Sequence, residues 1–316
     1  MSGDASQVGK SSVCLGVLAS LVEQLGYHAH EVAYIKPATQ CESAQLVAKF
    51  CASRGIECVP IGPVVYVSGF TREFLAGNTK STAEMTGEVE EAVNALCRKR
   101  GRKMVVVDGV GFPAVGSIVG MSNAVLARAA RAPVVLVCPR GVGNAVDSFN
   151  LNRVYFEHHG VEVLGAIFNR LHADGFYALE KCKASVDDYF AQFRPEQRVY
   201  GYVPEIKSLD GASPPPPALT AASPCATFSA DWTSEDEGRL AALMRAFKDH
   251  VDVQQLFADA ERYRTTSDNS RKRARDDGRL DEAEPRPPRA LRAAAPALGT
   301  EEIRARAVAS GAKATA

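Results

Sequence analysis

The sequence predicts an α/β fold: a mostly parallel sheet with helices on both faces. Three observations predict it. Short β-branched runs alternate with helical patterns from residue 9 to about residue 206. Runs such as "APVVLVCP" and "VEVLGAIFN" are almost continuously apolar, as strands covered on both faces are. A glycine-bounded loop, "GDASQVGKSS" at 3–12, opens directly into a helix, and in such sheets ligands gather at the carboxyl ends of the strands.

The loop comes first. Gly3 is followed by five residues and then Gly9, Lys10 and Ser11, one residue more than the common G-x-x-x-x-G-K-[ST] spacing. Glycines let successive backbone N–H groups turn toward an anion, a lysine adds charge, and the hydroxyl that follows can ligate Mg²⁺. The plainer alternative is a Gly-Lys-Ser turn that only caps a helix, a common device. Behind the loop, Cys14, Val17, Leu18, Leu21, Val22 and Leu25 recur on one helical face and Gly26 supplies a stop. The free N–H groups of that helix would face a phosphate.

The remaining elements follow in order. Strands are expected at "HEVAYIKP", "PVVYVS", "KMVVVDG", "APVVLVCP", "VEVLGAIFN" and "RVYGYVP". This set, residues 1–206, forms the principal domain. Residues 207–232, with "SPPPPALTAASP" at their centre, read as a Pro-rich linker, and residues 233–264 as two helices that pack back on the domain. Residues 265–316 are rich in Arg, Ala, Asp and Pro without apolar periodicity and are expected to be disordered. Within them "RKRARDD" at 271–277 is either a nuclear-import patch or a solvated stretch of mixed charge.

Composition narrows the function classes. With 46% hydrophobic residues the 316-residue chain can bury one substantial core. The formal net charge is zero, which gives no electrostatic reason to expect nucleic acid or a membrane surface as partner. The eight cysteines (Cys14, Cys41, Cys51, Cys58, Cys97, Cys138, Cys182 and Cys225) form no C-x-x-C pair and read as reduced, packed thiols of a cytoplasmic protein.

The order of motifs from residue 3 to 206 resembles the P-loop NTPase domain shared by dethiobiotin synthetases, the ATP-binding half of cobyrinic acid a,c-diamide synthases and the amino-terminal domain of some phosphate acetyltransferases. "GDASQVGKS" has the five-residue gap of dethiobiotin synthetases, with Val8 before Gly9. "YIKPATQCES" is similar to their K-P segment, "VVVDGVGFPAVGSIVGMSNA" to a strand ending in an acid before a Gly-rich loop, "VEVLGAIFNR" to the strand whose asparagine reads adenine, and "YGYVPEI" to the purine-side proline strand. The strings "GFTREFLAGNT" and "VGSIVGMSNA" resemble an uncharacterised subgroup of this superfamily more closely than true dethiobiotin synthetases. Partition-type ATPases of the superfamily carry a further lysine early in the loop, which this chain lacks.

The resemblance implies ATP and Mg²⁺ as cofactors. The expected nucleotide cradle comprises Gly3, Ser6, Val8, Gly9, Lys10, Ser11 and Ser12, with Asn169 and Pro204 on the purine side. Ser11, Asp108 and Glu42 are the expected metal ligands, Glu42 standing where dethiobiotin synthetases have an aspartate. Lys10 and Lys36 are the expected catalytic cations. Each also has a structural alternative: Asp108 as a turn cap, Glu42 as a first-turn helix acid, Lys36 as a surface lysine before Pro37, Asn169 as a turn residue. The implied activity is an ATP-dependent ligase reaction in which phosphorylation activates a small carboxylate or carbamate for capture by an amine. The other reading is a non-catalytic nucleotide-binding regulatory module. A homodimer is the implied assembly. Only Met1 and Ser2 precede Gly3, whereas the family's first, central strand needs several residues; the expectation is a missing first strand and a reading frame that begins upstream.

Overall fold

The computed structural model describes residues 1–40, 45–209 and 231–276, with side chains through Ser267. A two-residue strand, β1 (Ser2–Gly3), runs through the loop into α1 (Lys10–Ala19), a π-helical turn over Ser20–Gln24 and a reversal at Gly26 with φ 73°. Then come β2 (Val32–Ile35), β3 (Ala38–Thr39), α2 (Leu46–Arg54), β4 (Glu57–Val59), β5 (Val64–Val65), α3 (Phe70–Leu75), α4 (Thr82–Cys97) and β6 (Met104–Val107). The second half is α5 (Asn123–Ala129), β7 (Val134–Cys138), α6 (Gly143–His158), β8 (Val163–Leu171), α7 (Leu179–Phe193), β9 (Arg198–Pro204), α8 (Ser234–His250) and α9 (Val253–Asp276).

Every named strand pairing is parallel, in the orders β4-β2-β6 and β1-β7-β8-β9, with β3 and β5 forming a separate pair. The slot expected for a first strand is filled at its carboxyl end. Ser2 and Gly3 pair with Leu136 and Val137 of β7, while the Met1 amino group donates to Val107 O at 2.8 Å and Gly109 N donates to Met1 O at 3.0 Å. These few residues therefore join the two halves of the sheet, and the loop is anchored on both sides.

One strand expectation needs correction. "PVVYVS" does not enter the main sheet; only Val64 and Val65 pair, and with Ala38 and Thr39. The main-sheet strand beside β2 is β4, from "ECV". Pro60 and Pro63 separate the two segments and withhold backbone donors, while Gly62 lies so close to Lys36 O and Pro37 O that a Cβ there would sit 2.2 and 2.5 Å from them.

Of the expected apolar face, Cys14, Val17, Leu18 and Leu21 are buried, Val22 is half-buried and Leu25, past the end of the helix, is exposed, while Val13 and Leu15 of α1 are buried as well. The reason is that α2 and α8 flank the helix in addition to the sheet. Phe247 of α8, fully buried, presses its ring on Gly16, where a Cβ would meet ring atoms at 2.3 to 2.6 Å. Capping boxes begin α4 (Ser81 with Glu84) and α8 (Thr233 with Asp236), each worth about 1 kcal/mol. Helix α9 continues past Thr265 to Asp276. Cys14, Cys51, Cys138 and Cys182 are buried free thiols, whereas Cys97 is exposed. Cys41, Cys225, the "SPPPPALTAASP" segment and residues 277–316 lie outside the described residues. Among the described residues no helix is long and apolar enough to cross a membrane.

Candidate functional site

The loop wraps because two residues take left-handed backbone: Gln7 at φ 61° and Gly9 at φ 93°. A Cβ on Gly3 would lie 2.7 Å from Val8 Cγ1 and 2.8 Å from Ala5 O, and one on Gly9 only 2.3 Å from Asn169 Nδ2. Both positions therefore require glycine for close approach. Gly9 O accepts from Val13 N at 3.0 Å, so α1 starts at the loop. Lys10 and Val8 are buried, Ser11 and Ser12 half-buried and Ser6 exposed.

Parallel pairing assembles the charged centre. Ile35 is in register with Val107, so the next residues, Lys36 and Asp108, emerge side by side at the carboxyl edge of the sheet. Both are buried, Lys36 at 5% and Asp108 at 0% exposure. Asp108 Oδ2 accepts from Ser11 Oγ at 2.6 Å and from Tyr34 OH at 2.8 Å, and pairs with Lys36 Nζ at 3.4 Å. Lys36 Nζ also reaches Ser11 Oγ at 3.5 Å and Gln45 Oε1 at 3.2 Å. Burial pushes the Asp108 carboxyl up, but Lys36, the Ser11 and Tyr34 hydroxyls and Lys10 outweigh it and hold the group below the ordinary carboxylate value. The Tyr34 hydroxyl is pushed well above its ordinary value by burial and by the neighbouring Asp108 charge, so it stays a donor.

The other carboxylate oxygen, Asp108 Oδ1, is buried with no hydrogen-bond partner. An orphaned anionic oxygen beside a serine hydroxyl is a hard-donor pair that suits Mg²⁺, which keeps several of its waters and needs few protein oxygens. No group of three or more His, Cys, Asp or Glu side chains able to hold a metal occurs among the described residues, and of these Ser11 and Asp108 are the pair that would hold an ion here. Glu42 lies outside the described residues.

On the opposite side of the loop, Asn169 Nδ2 donates to Val8 O at 2.8 Å. Asn169 and Pro204 line a narrow cleft of about 30 Å³ with Gly9, Ser12, Leu209 and Phe247. A larger cleft of about 740 Å³ lies between the start of β9 and α9, lined by Glu162, Asp187, Arg198 and Asp259. It stands at the amino ends of β8 and β9, away from Lys36 and Asp108, and shares no residue with the charged centre.

Three contributors escaped the sequence reading. Tyr34 sits inside a plain apolar strand pattern, and Gln45 acts through Lys36; neither has a local signal. Asn123, 4% exposed, pins the loop after Asp108: its Oδ1 accepts from Val110 N at 3.0 Å, and its Nδ2 donates to Val110 O at 2.7 Å and Phe112 O at 2.8 Å. The sign of it was a polar residue just after the Ser122 N-cap of α5.

A family model described as AAA domain matches residues 2–213. No curated protein matches the chain. Among solved structures, apo McdA of Cyanothece is 11% identical with TM-score 0.41, covering 66% of this chain and 86% of its own. Chloroplast FtsY from Physcomitrella patens is 18% identical with TM-score 0.41, covering 76% and 62%. The cell division ATPase MinD of Pyrococcus furiosus is 12% identical with TM-score 0.38, covering 78% and 96%. The match over residues 2–213 makes the chain a member of the AAA domain family, with an ATP-binding P-loop NTPase domain.

Proposed function

We propose that the protein is an ATP- and Mg²⁺-dependent ligase-type enzyme, similar to dethiobiotin synthetases, that phosphorylates a small carboxylate or carbamate. The observation that carries this reading is the convergence of buried Lys36 and Asp108 on Ser11, all within 3.5 Å, at the carboxyl edge of the sheet. A buried lysine beside the phosphate loop is more than nucleotide binding alone requires.

The residues divide the work. The loop N–H groups and Lys10 hold the β- and γ-phosphates. Ser11 and Asp108 hold Mg²⁺, which when bound neutralises charge on the phosphate oxygens. Lys36 orients the attacking carboxylate oxygen and stabilises charge that develops during transfer. Asn169 and Pro204 contact the purine. Asn123 fixes the loop at 109–117 that borders the acceptor. A homodimer is the assembly the resemblance to dethiobiotin synthetases implies, and exposed apolar side chains such as Ile118, Leu151 and Val154 are available to it.

The test is ADP release from Mg·ATP, measured alone and with a panel of diamino acids plus bicarbonate. The expected result is release that depends on one acceptor class, and that Lys36→Ala lowers by roughly 10²-fold. ATP turnover that no carboxylate or carbamate changes would refute the ligase reading.

A further inference from the structure

Lys36 has a second role that its own contacts suggest. Its ammonium lies 3.4 Å from Asp108 Oδ2 and 3.5 Å from Ser11 Oγ, the two side chains assigned above to Mg²⁺. Gln45 Oε1 at 3.2 Å steadies it from the N-cap position of α2. We infer that Lys36 is a resident cation that occupies the electrostatic place of the divalent ion, keeps that site closed to metal until nucleotide arrives, and exchanges with the ion by moving toward the phosphates. This rests on the metal site proposed above.

The reasoning is one of charge balance. A carboxylate buried at 0% exposure needs a counter-charge at all times. Without nucleotide, Lys36 supplies it. With Lys36 on Oδ2, a divalent ion approaching Oδ1 meets the ammonium charge at short range, and the two cations repel in a site with little water. A triphosphate changes the balance: its negative oxygens attract both cations, so the ion can take Asp108 while the ammonium turns to the phosphates. Asp108 Oδ1, buried and unpartnered, keeps an acceptor ready for the incoming ion or one of its waters. The protein is thereby held in a preformed arrangement without metal, and the ion enters together with ATP instead of ahead of it.

The experiment is Mn²⁺ binding followed by electron paramagnetic resonance, with and without ATP, on wild type, Lys36→Met, Lys36→Arg and Asp108→Asn. Wild type and Lys36→Arg should take up Mn²⁺ only with ATP. Lys36→Met should bind Mn²⁺ without nucleotide at least about tenfold more tightly than wild type, the scale on which one adjacent charge alters a carboxylate's affinity for a proton. Lys36→Met binding no tighter than wild type overturns the inference, while an Asp108→Asn protein that still takes up Mn²⁺ with ATP as wild type does overturns the metal site beneath it. Should Lys36→Met fail to fold, a crystal structure of wild type with Mn²⁺ and a non-hydrolysable ATP analogue decides: Nζ must leave ion-pair range of Asp108, ~4 Å, and an unchanged contact refutes the exchange.

Discussion

Replacing Asp108 with asparagine keeps the shape of the side chain and removes its charge, which isolates the energetic role of the buried pair. Lys36 is 5% exposed and would be left beside a neutral amide, and removing one partner of a buried ion pair costs about 3–5 kcal/mol. Asparagine can still accept from Ser11 Oγ and Tyr34 OH, so the loss should fall at the lower end, about 3 kcal/mol. Adding Lys36→Met to Asp108→Asn removes the stranded cation, and the double variant should recover about 2 kcal/mol. Urea unfolding at neutral pH, with the three transitions compared at constant slope, reads these differences. The sign with pH follows from the depressed Asp108 carboxyl. Its contribution is present above the unfolded value of about 3.9 and is lost as pH falls through the lower folded value, so wild type and Asp108→Asn should converge only in strong acid. A single variant within about 1 kcal/mol of wild type, or a double variant no more stable than the single, would refute the idea that the pair is a coupled buried unit.

Further outcomes can be read from neighbouring contacts. Gly9→Ala would place a methyl 2.3 Å from Asn169 Nδ2 at φ 93°; titration with a fluorescent ATP analogue should give affinity at least about tenfold weaker, and unchanged affinity would contradict the placement of the loop. Asn123→Ala removes three hydrogen bonds from the 109–113 turn and should cost about 2–3 kcal/mol, with faster amide exchange at Val110 as the local sign. Phe247→Ala should cost about 3–5 kcal/mol in urea unfolding, because the ring is fully buried on Gly16. Burial pushes the Asp4 carboxyl up despite the hydrogen bond from Ser148, so its ionised form opposes folding; Asp4→Asn should raise the melting temperature at neutral pH, the gain fading as pH falls through the raised folded value and vanishing below the unfolded value of about 3.9, where wild-type Asp4 is protonated in both states.

Much of this molecule is written locally. Glycine spacing, the helix behind it and the apolar runs are short-range signals, and they placed the loop, α1, β2, β6, β7, β8 and β9. The "PVVYVS" run misled because β propensity reports a chain that can be extended, not the strand it joins; prolines at 60 and 63 and the crowding at Gly62 diverted it to β3. Tyr34 was invisible for a related reason: a strand residue reveals its alternation, but not which atom lies above its hydroxyl.

The sequence by itself determined the chemistry available: a phosphate-type loop with Lys10 and Ser11, a lysine closing one strand and an aspartate closing another. Only the tertiary structure decided that Ile35 stands beside Val107, which sets Lys36 against Asp108 with Ser11 between them and one carboxylate oxygen left over. Register between strands separated by some seventy residues of chain is fixed by packing of the whole sheet and its covering helices, and no local pattern in either strand contains it.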